Sequence, residues 1–255
     1  MSIAASRRLH RRVLTTADRW SSLRVYWLCR NAGLLAGLFY FRVHVLGKEH
    51  LRTPGPAILA PVHRSNLDVP LIAGHCPRRL RSLAKQAMFR GPISRWFSSC
   101  IGAFPVQRDQ LDRVALETAQ TLLGRGEMLL VFPEGTRGTG ATIGDVHNGC
   151  AYLADATGAR VIPIGVAGTE RAMPPGAKLA RPRRVVVTVG EPIEPARAAP
   201  QADAGRERRR VLSDHVRAEM QRLLDEAHDA LSARSRGLAR PGPGPGTLFR
   251  RRPVG

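Results

Sequence analysis

An α/β fold, with a mixed, mostly parallel sheet flanked by helices, is what the sequence predicts, and three observations predict it. From residue 43 onward, short aliphatic runs alternate with amphipathic stretches, the rhythm of a sheet covered by helices on its faces. The chain has 255 residues, 43% of them hydrophobic, so a single domain of this length can bury a large core. One run, MLLVFP at 128–133, is apolar without alternation and reads as a buried strand.

The elements follow in order. In the stretch 7–30, Leu9, Val13, Ala17, Trp20, Leu23 and Trp27 recur at steps of three and four, with arginines on the remaining faces, which predicts a basic amphipathic helix. The segment NAGLLAGLFYF at 31–41 is apolar all round but short, whereas a spanning helix needs about 20 apolar residues. Together they read as a membrane-associating helical pair; packing on the core and an organellar transit peptide are the other readings. Strands are expected at 42–47, 56–62, 81–85, 102–107, 128–133, 161–167 and 184–190, where the apolar runs lie. Helices are expected at Leu67–Cys76, Gln86–Ser99, Asp109–Gly124, Asn148–Thr157 and from Asp203 to about Ser232. Beyond that, repeated Pro-Gly and six arginines without an acid predict a disordered tail.

Charge is the strongest compositional signal. Forty basic residues stand against 20 acidic ones, a formal net charge of +20, and the first 42 residues alone carry eight basic and one acidic residue. Anionic membrane and nucleic acid are the two polyanions such a chain could meet. Aromatics are only 5%, and no zinc-finger, helix-turn-helix or RNA-recognition signature is present, so a specific nucleic-acid function is disfavoured; a basic nucleic-acid-binding protein remains the alternative of a different class. The four cysteines are widely spaced, with no C-x-x-C pair, which suits a reducing compartment.

The chemistry-bearing residues sit where strands end. PVHRSNLDVP at 61–70 places His63 just after an apolar run and Asp68 five residues later. With eight histidines and ten aspartates in the chain, chance gives roughly 0.3 such spacings, so spacing alone decides nothing. Ser65, Asn66 or Asp68 could equally be a helix N-cap. Position favours chemistry, because open α/β sheets bind ligands at the carboxyl ends of their strands. Glu134, Gly135, Thr136 and Arg137 follow a second strand and Arg108 a third. A histidine beside two arginines suggests proton abstraction next to an anionic substrate.

Four blocks, HRSNLD, GAFPVQR, FPEGTRG and VIPIGVAG, in this order and at these intervals, resemble those of the glycerolipid acyltransferase family, whose best known members are 1-acyl-sn-glycerol-3-phosphate acyltransferases. The resemblance covers roughly 43–195 and implies transfer of a fatty acyl group from an acyl-CoA or acyl carrier protein thioester to the free hydroxyl of 1-acyl-sn-glycerol 3-phosphate. The product would be phosphatidic acid, in phospholipid biosynthesis. It implies His63 as general base and Asp68 as its orienting carboxylate, the His-Asp half of a serine-protease triad with the substrate hydroxyl in place of serine. Arg108, Glu134, Gly135, Thr136 and Arg137 would bind the acceptor, and Lys85, one of three lysines, is placed near its phosphate.

No metal or cofactor is expected, since the histidines do not cluster and the thioester is a co-substrate. No G-x-S-x-G elbow is present, which disfavours a covalent acyl-enzyme. The expected organisation is amphipathic membrane-associating helices at 1–42, an acyltransferase α/β domain at 43–232 and a basic tail at 233–255. The expected partners are a lysophospholipid, the thioester donor and an anionic membrane surface at the cytoplasmic face, with peripheral attachment. Glycerol 3-phosphate or another lipid hydroxyl is the alternative acceptor.

Overall fold

Long aliphatic runs dictate where the sheet lies, because a strand buried on both faces must be apolar on both. The computed structural model describes residues 2–107, 112–198 and 205–237. Among these, seven strands form one sheet: β1 His44–Leu46, β2 Ala57–Pro61, β3 Leu80–Lys85, β4 Ala103–Val106, β5 Met128–Leu130, β6 Arg160–Ala167 and β7 Val186–Val189. Five fall inside the runs expected from sequence, while β3 and β6 begin one residue before theirs. Their order is β1-β7-β6-β2-β5-β3-β4. From β6 to β4 every neighbouring pair is parallel, and only β7 runs antiparallel to β6. The sheet is therefore mixed and mostly parallel, and β2 and β5 at its centre are buried at every residue.

Nine helices accompany it among the described residues: α1 Ile3–Ala17, α2 Trp20–Leu35, α3 Asp68–His75, α4 Pro92–Cys100, α5 Arg113–Gly124, α6 Gly149–Thr157, the short α7 Thr169–Ala172 and α8 Pro195–Ala198, and α9 Gly205–Ser235. Helices α1, α5, α6 and α9 bury Val13, Leu122, Leu153 and Val216 in one core with Ile58, Phe104 and Val161 of the sheet. On the opposite face Leu71 and Ile72 of α3 pack on Leu59, Leu130 and Ile164. Helix α2 lies over α3 at very close range: a Cβ added to Gly74 would come within 2.6 Å of the Leu34 backbone nitrogen. Only glycine fits that crossing.

The N-terminal stretch differs from the single amphipathic helix expected through Trp20. It breaks at Asp18, whose carboxylate is drawn to Arg79 and Arg81 of the β3 region. Arg81 is 1% exposed and also pairs with Glu127 at 2.6 Å. A buried guanidinium left without carboxylates would be strongly destabilising, so this ion cluster overrides the helical periodicity. The apolar stripe then divides. Val13 and Ala17 of α1 face the core, while Trp20, Trp27, Leu28 and Leu35 of α2 remain exposed. Helix α4 starts later than expected because Gly91 and Pro92 end the preceding 3-10 turn at Gln86–Phe89. At the other end α9 runs to Ser235, three residues past the expected limit; 238–255, most of the expected tail, lie outside the described residues.

Candidate active site

Strand β2 delivers His63 two residues past its end, and the HRSNLD turn folds back around one carboxylate. Asp68, fully buried at the start of α3, accepts three hydrogen bonds on Oδ2: from His63 Nδ1 at 2.9 Å, the Arg64 backbone N–H at 2.7 Å and the Ser65 backbone N–H at 2.8 Å. An N-cap side chain accepts from N–H groups two or three residues ahead; Asp68 reaches three to five residues behind itself. It clamps a turn and a ring. Three donors converging on one oxygen, each strengthened by its charge, offset the cost of burying the carboxylate. With its Nδ1 proton given to Asp68, the imidazole keeps Nε2 as an acceptor, and no other hydrogen bond to the ring forms among the described residues. Phe132 stacks on the ring, centroids 3.8 Å apart and planes 21° from parallel, which fixes its orientation.

The second cluster follows β5, the neighbour of β2. Glu134 is buried, and both its oxygens are engaged within the protein: Oε1 accepts the His63 backbone N–H at 2.9 Å, and Oε2 accepts the Gly144 N–H at 3.0 Å and faces Arg64 Nη1 at 3.6 Å. Gly138 N–H returns a bond to His63 O at 2.9 Å. The two strand-end turns are thus locked together. Gly135 adopts φ 67°, a left-handed conformation that glycine enters without strain, and this turns the chain so that Thr136 and Arg137 project into solvent.

Residues 42–167 match the family model described as Acyltransferase. The crystal structure of the 1-acyl-sn-glycerophosphate acyltransferase from Thermotoga maritima is similar, with TM-score 0.64 and 25% identity, covering 85% of this chain and 87% of that one. Residues 42–167 thus form an acyltransferase domain similar to those of the glycerolipid acyltransferases. A 1-acyl-sn-glycerol-3-phosphate acyltransferase of Bacillus subtilis is 29% identical over 175 residues, 68% of this chain and 84% of the relative. A chloroplastic 1-acyl-sn-glycerol-3-phosphate acyltransferase of Arabidopsis thaliana is 28% identical over 188 residues, 71% of this chain and 49% of the relative. This chain therefore spans about half the length of that plant relative.

Within this acyltransferase fold the sheet order decides which cations share an edge with the histidine. Strands β2, β5, β3 and β4 are adjacent and parallel, so their carboxyl ends present His63, the Glu134–Arg137 turn, Lys85 and Gln107 in that order, at steps of about 4.8 Å. Lys85 is exposed at the end of β3. Arg108 lies outside the described residues; the preceding Gln107 N–H is held by Asp112 Oδ2 at 3.0 Å. Two contributors escaped the sequence reading. Arg64, 3% exposed, ties the histidine turn to the loop after β5 through Glu134 and Thr142 O at 3.0 Å. Phe132 supplies the stacking surface. Gly138 was the available signal for Arg64, since a side chain there would collide with the guanidinium. Among the described residues no three His, Cys, Asp or Glu side chains are placed to hold a metal ion together.

Proposed function

We propose that this chain transfers a fatty acyl group from an acyl thioester to the free hydroxyl of 1-acyl-sn-glycerol 3-phosphate, giving phosphatidic acid. The observation that carries the reading is the buried His63–Asp68 pair at the carboxyl end of β2, beside a turn that projects Arg137. His63 Nε2 takes the hydroxyl proton as the oxygen attacks the thioester carbonyl, and Asp68 stabilises the imidazolium that forms. The tetrahedral adduct then collapses, the carbon–sulfur bond breaks, and the imidazolium returns its proton to the leaving thiolate. An ester and a free thiol result. Arg137, Lys85 and Arg108 hold the acceptor phosphate by charge-assisted bonds, Thr136 adds a hydroxyl, and Gly135 permits close backbone approach. Glu134 acts by bracing the turn that carries these groups. The thioester is a co-substrate, and the chemistry assigned here requires no cofactor.

Peripheral attachment to the cytoplasmic face of an anionic membrane completes the reading. The outer face of α2 and the turn after it expose Trp27, Leu28, Leu35, Leu38 and Phe39, and the Arg24 guanidinium lies 3.3 Å over the Trp20 ring. That mixture of aromatics and arginine suits a headgroup interface. No helix among the described residues is long and apolar enough to cross a membrane. The reaction is tested with protein purified in detergent or lipid, an acyl-CoA, and a panel comprising lysophosphatidic acid, glycerol 3-phosphate and a phosphate-free lipid alcohol, following free thiol. Release that depends on lysophosphatidic acid supports the proposal; release with no acceptor dependence would sink it.

A further inference from the structure

The opposite flank of His63 carries a second cationic cleft that the transfer reaction proposed above does not yet use. Because β7 runs antiparallel to β6 and β1 parallel to β7, the chain segments entering β1 and β7 lie on the same edge as the carboxyl end of β2. They bring Arg42, Arg183 and Arg184 beside Arg171 of α7, around a cleft of about 540 Å³ bounded by Tyr40 and Leu231. Among the described residues no acidic residue lines it, and of its four guanidiniums only Arg171 has a carboxylate beside it, that of Glu170 at 3.7 Å. Its floor is organised: Tyr40 donates to Ala180 O at 2.9 Å, and Arg184 donates to Arg234 O at the end of α9. Arg42 has φ 48°, the only non-glycine residue with a positive φ among the described residues. A bulky side chain in that conformation is strained, and such strain persists where surrounding structure holds a group for use. The chain that follows Arg171 is also tied to the histidine turn, for Ser65 donates to Met173 O, two residues beyond Arg171.

We infer that this cleft binds the phosphate-rich nucleotide end of an acyl-CoA donor. Four guanidiniums match several clustered phosphates, the volume falls in the range of small-ligand sites, and the Tyr40 ring offers a flat surface for a base. Reach agrees as well. β1 lies three strands from β2, about 14 Å at ordinary spacing, and a pantetheine arm, comparable to about four extended residues, covers on the order of 14 Å. The donor then enters from the β1 side and the acceptor phosphate from the β4 side, with the thioester meeting His63 between them. An acidic carrier protein would need a broad surface, whereas these arginines line a cleft.

The assignment rests on the transfer reading, and its test keeps the two apart. Binding of CoA and of adenosine 3′,5′-bisphosphate to the full chain is measured by calorimetry for wild type, Arg42→Gly and Arg183→Ala/Arg184→Ala. Affinity should fall about tenfold or more in each variant, the loss typical of one or two charge-assisted contacts. Arg42→Gly should keep or raise the thermal midpoint, because glycine adopts φ 48° without strain. The preference for acyl-CoA over acyl-pantetheine should shrink by the same factor while the acceptor KM stays put. Unchanged CoA affinity in both variants overturns the assignment. So does lost binding to phosphatidylglycerol vesicles with CoA affinity intact, which would give the cleft to lipid headgroups. Wild type that ignores CoA but releases thiol from acyl carrier protein overturns it too, while the transfer reading stands. CoA binding that tracks the arginines without any acyl transfer supports the cleft and refutes the reaction.

Discussion

Asp68→Asn separates charge from shape at the proposed catalytic pair. All three donors at Asp68 converge on Oδ2, at 2.7 to 2.9 Å, while Oδ1 is buried with no partner. Asparagine can turn its carbonyl oxygen to the three donors, so the ring keeps its tautomer and the turn keeps its clamp. Two things change. The amide NH2 takes the place of the unpartnered oxygen, and a buried unpaired donor costs about 1 to 3 kcal/mol, roughly 2 to 12 °C of thermal midpoint for a chain of this size. The negative charge beside the imidazolium also disappears; at an effective dielectric near 20 such a contact is worth about 4 kcal/mol, so kcat should fall on the order of 10²- to 10³-fold. Asp68→Ala should be worse in stability, by about 3 kcal/mol or more, because the Arg64 and Ser65 N–H groups lose their acceptor. The assay pairs acceptor-dependent thiol release with thermal unfolding. Wild-type kcat in folded Asp68→Asn would refute the reasoning and leave Asp68 a structural clamp alone.

Other outcomes follow from neighbouring groups. Arg137→Ala should raise the acceptor KM roughly 10- to 100-fold with a smaller loss in kcat; an unchanged KM for the phosphorylated acceptor would remove Arg137 from the phosphate site. Burial pushes His10 below its ordinary 6.5, only partly opposed by Asp112, and its Nδ1 lies 2.8 Å from Thr118 Oγ1 between α1 and α5. The unfolded chain therefore binds this proton more readily, so the stabilisation is complete above pH 6.5 and is lost as pH falls from there toward the folded value. The thermal midpoint should drop on acidification across that window, and His10→Gln should flatten the drop; an identical slope in the variant would contradict it. Trp27→Ser with Phe39→Ser, at positions 38% and 76% exposed, should weaken sedimentation with anionic vesicles without lowering the thermal midpoint. Full sedimentation would move the membrane contact elsewhere.

The centre of the sheet was legible because β2, β5 and β6 are parallel and almost wholly buried. AILAP and MLL read directly as runs, and their ends could be matched to ligand-binding positions before any partner was known. The His63–Asp68 spacing said less. Only the folded turn shows the carboxylate reaching backward to the ring and two amides rather than forward as a cap. What the sequence concealed depends on partners far apart in the chain: Asp18 meets Arg81 across 63 positions, and Glu134 meets the His63 amide across 71. Neither pairing leaves a periodic trace. A charged residue in a motif looks like a substrate ligand until its oxygens are found pointing inward: sequence groups Glu134 with Arg137, although the first is engaged inside the protein and the second is exposed.

The central claim is that His63 is the base that activates the acceptor hydroxyl, and kcat of His63→Ala with lysophosphatidic acid as acceptor tests it most directly. The ring touches Asp68 and Phe132, whereas the proposed phosphate contacts lie on other strands. Acceptor KM should therefore change little while kcat falls by about 10²-fold or more. Full turnover by folded His63→Ala would contradict the account.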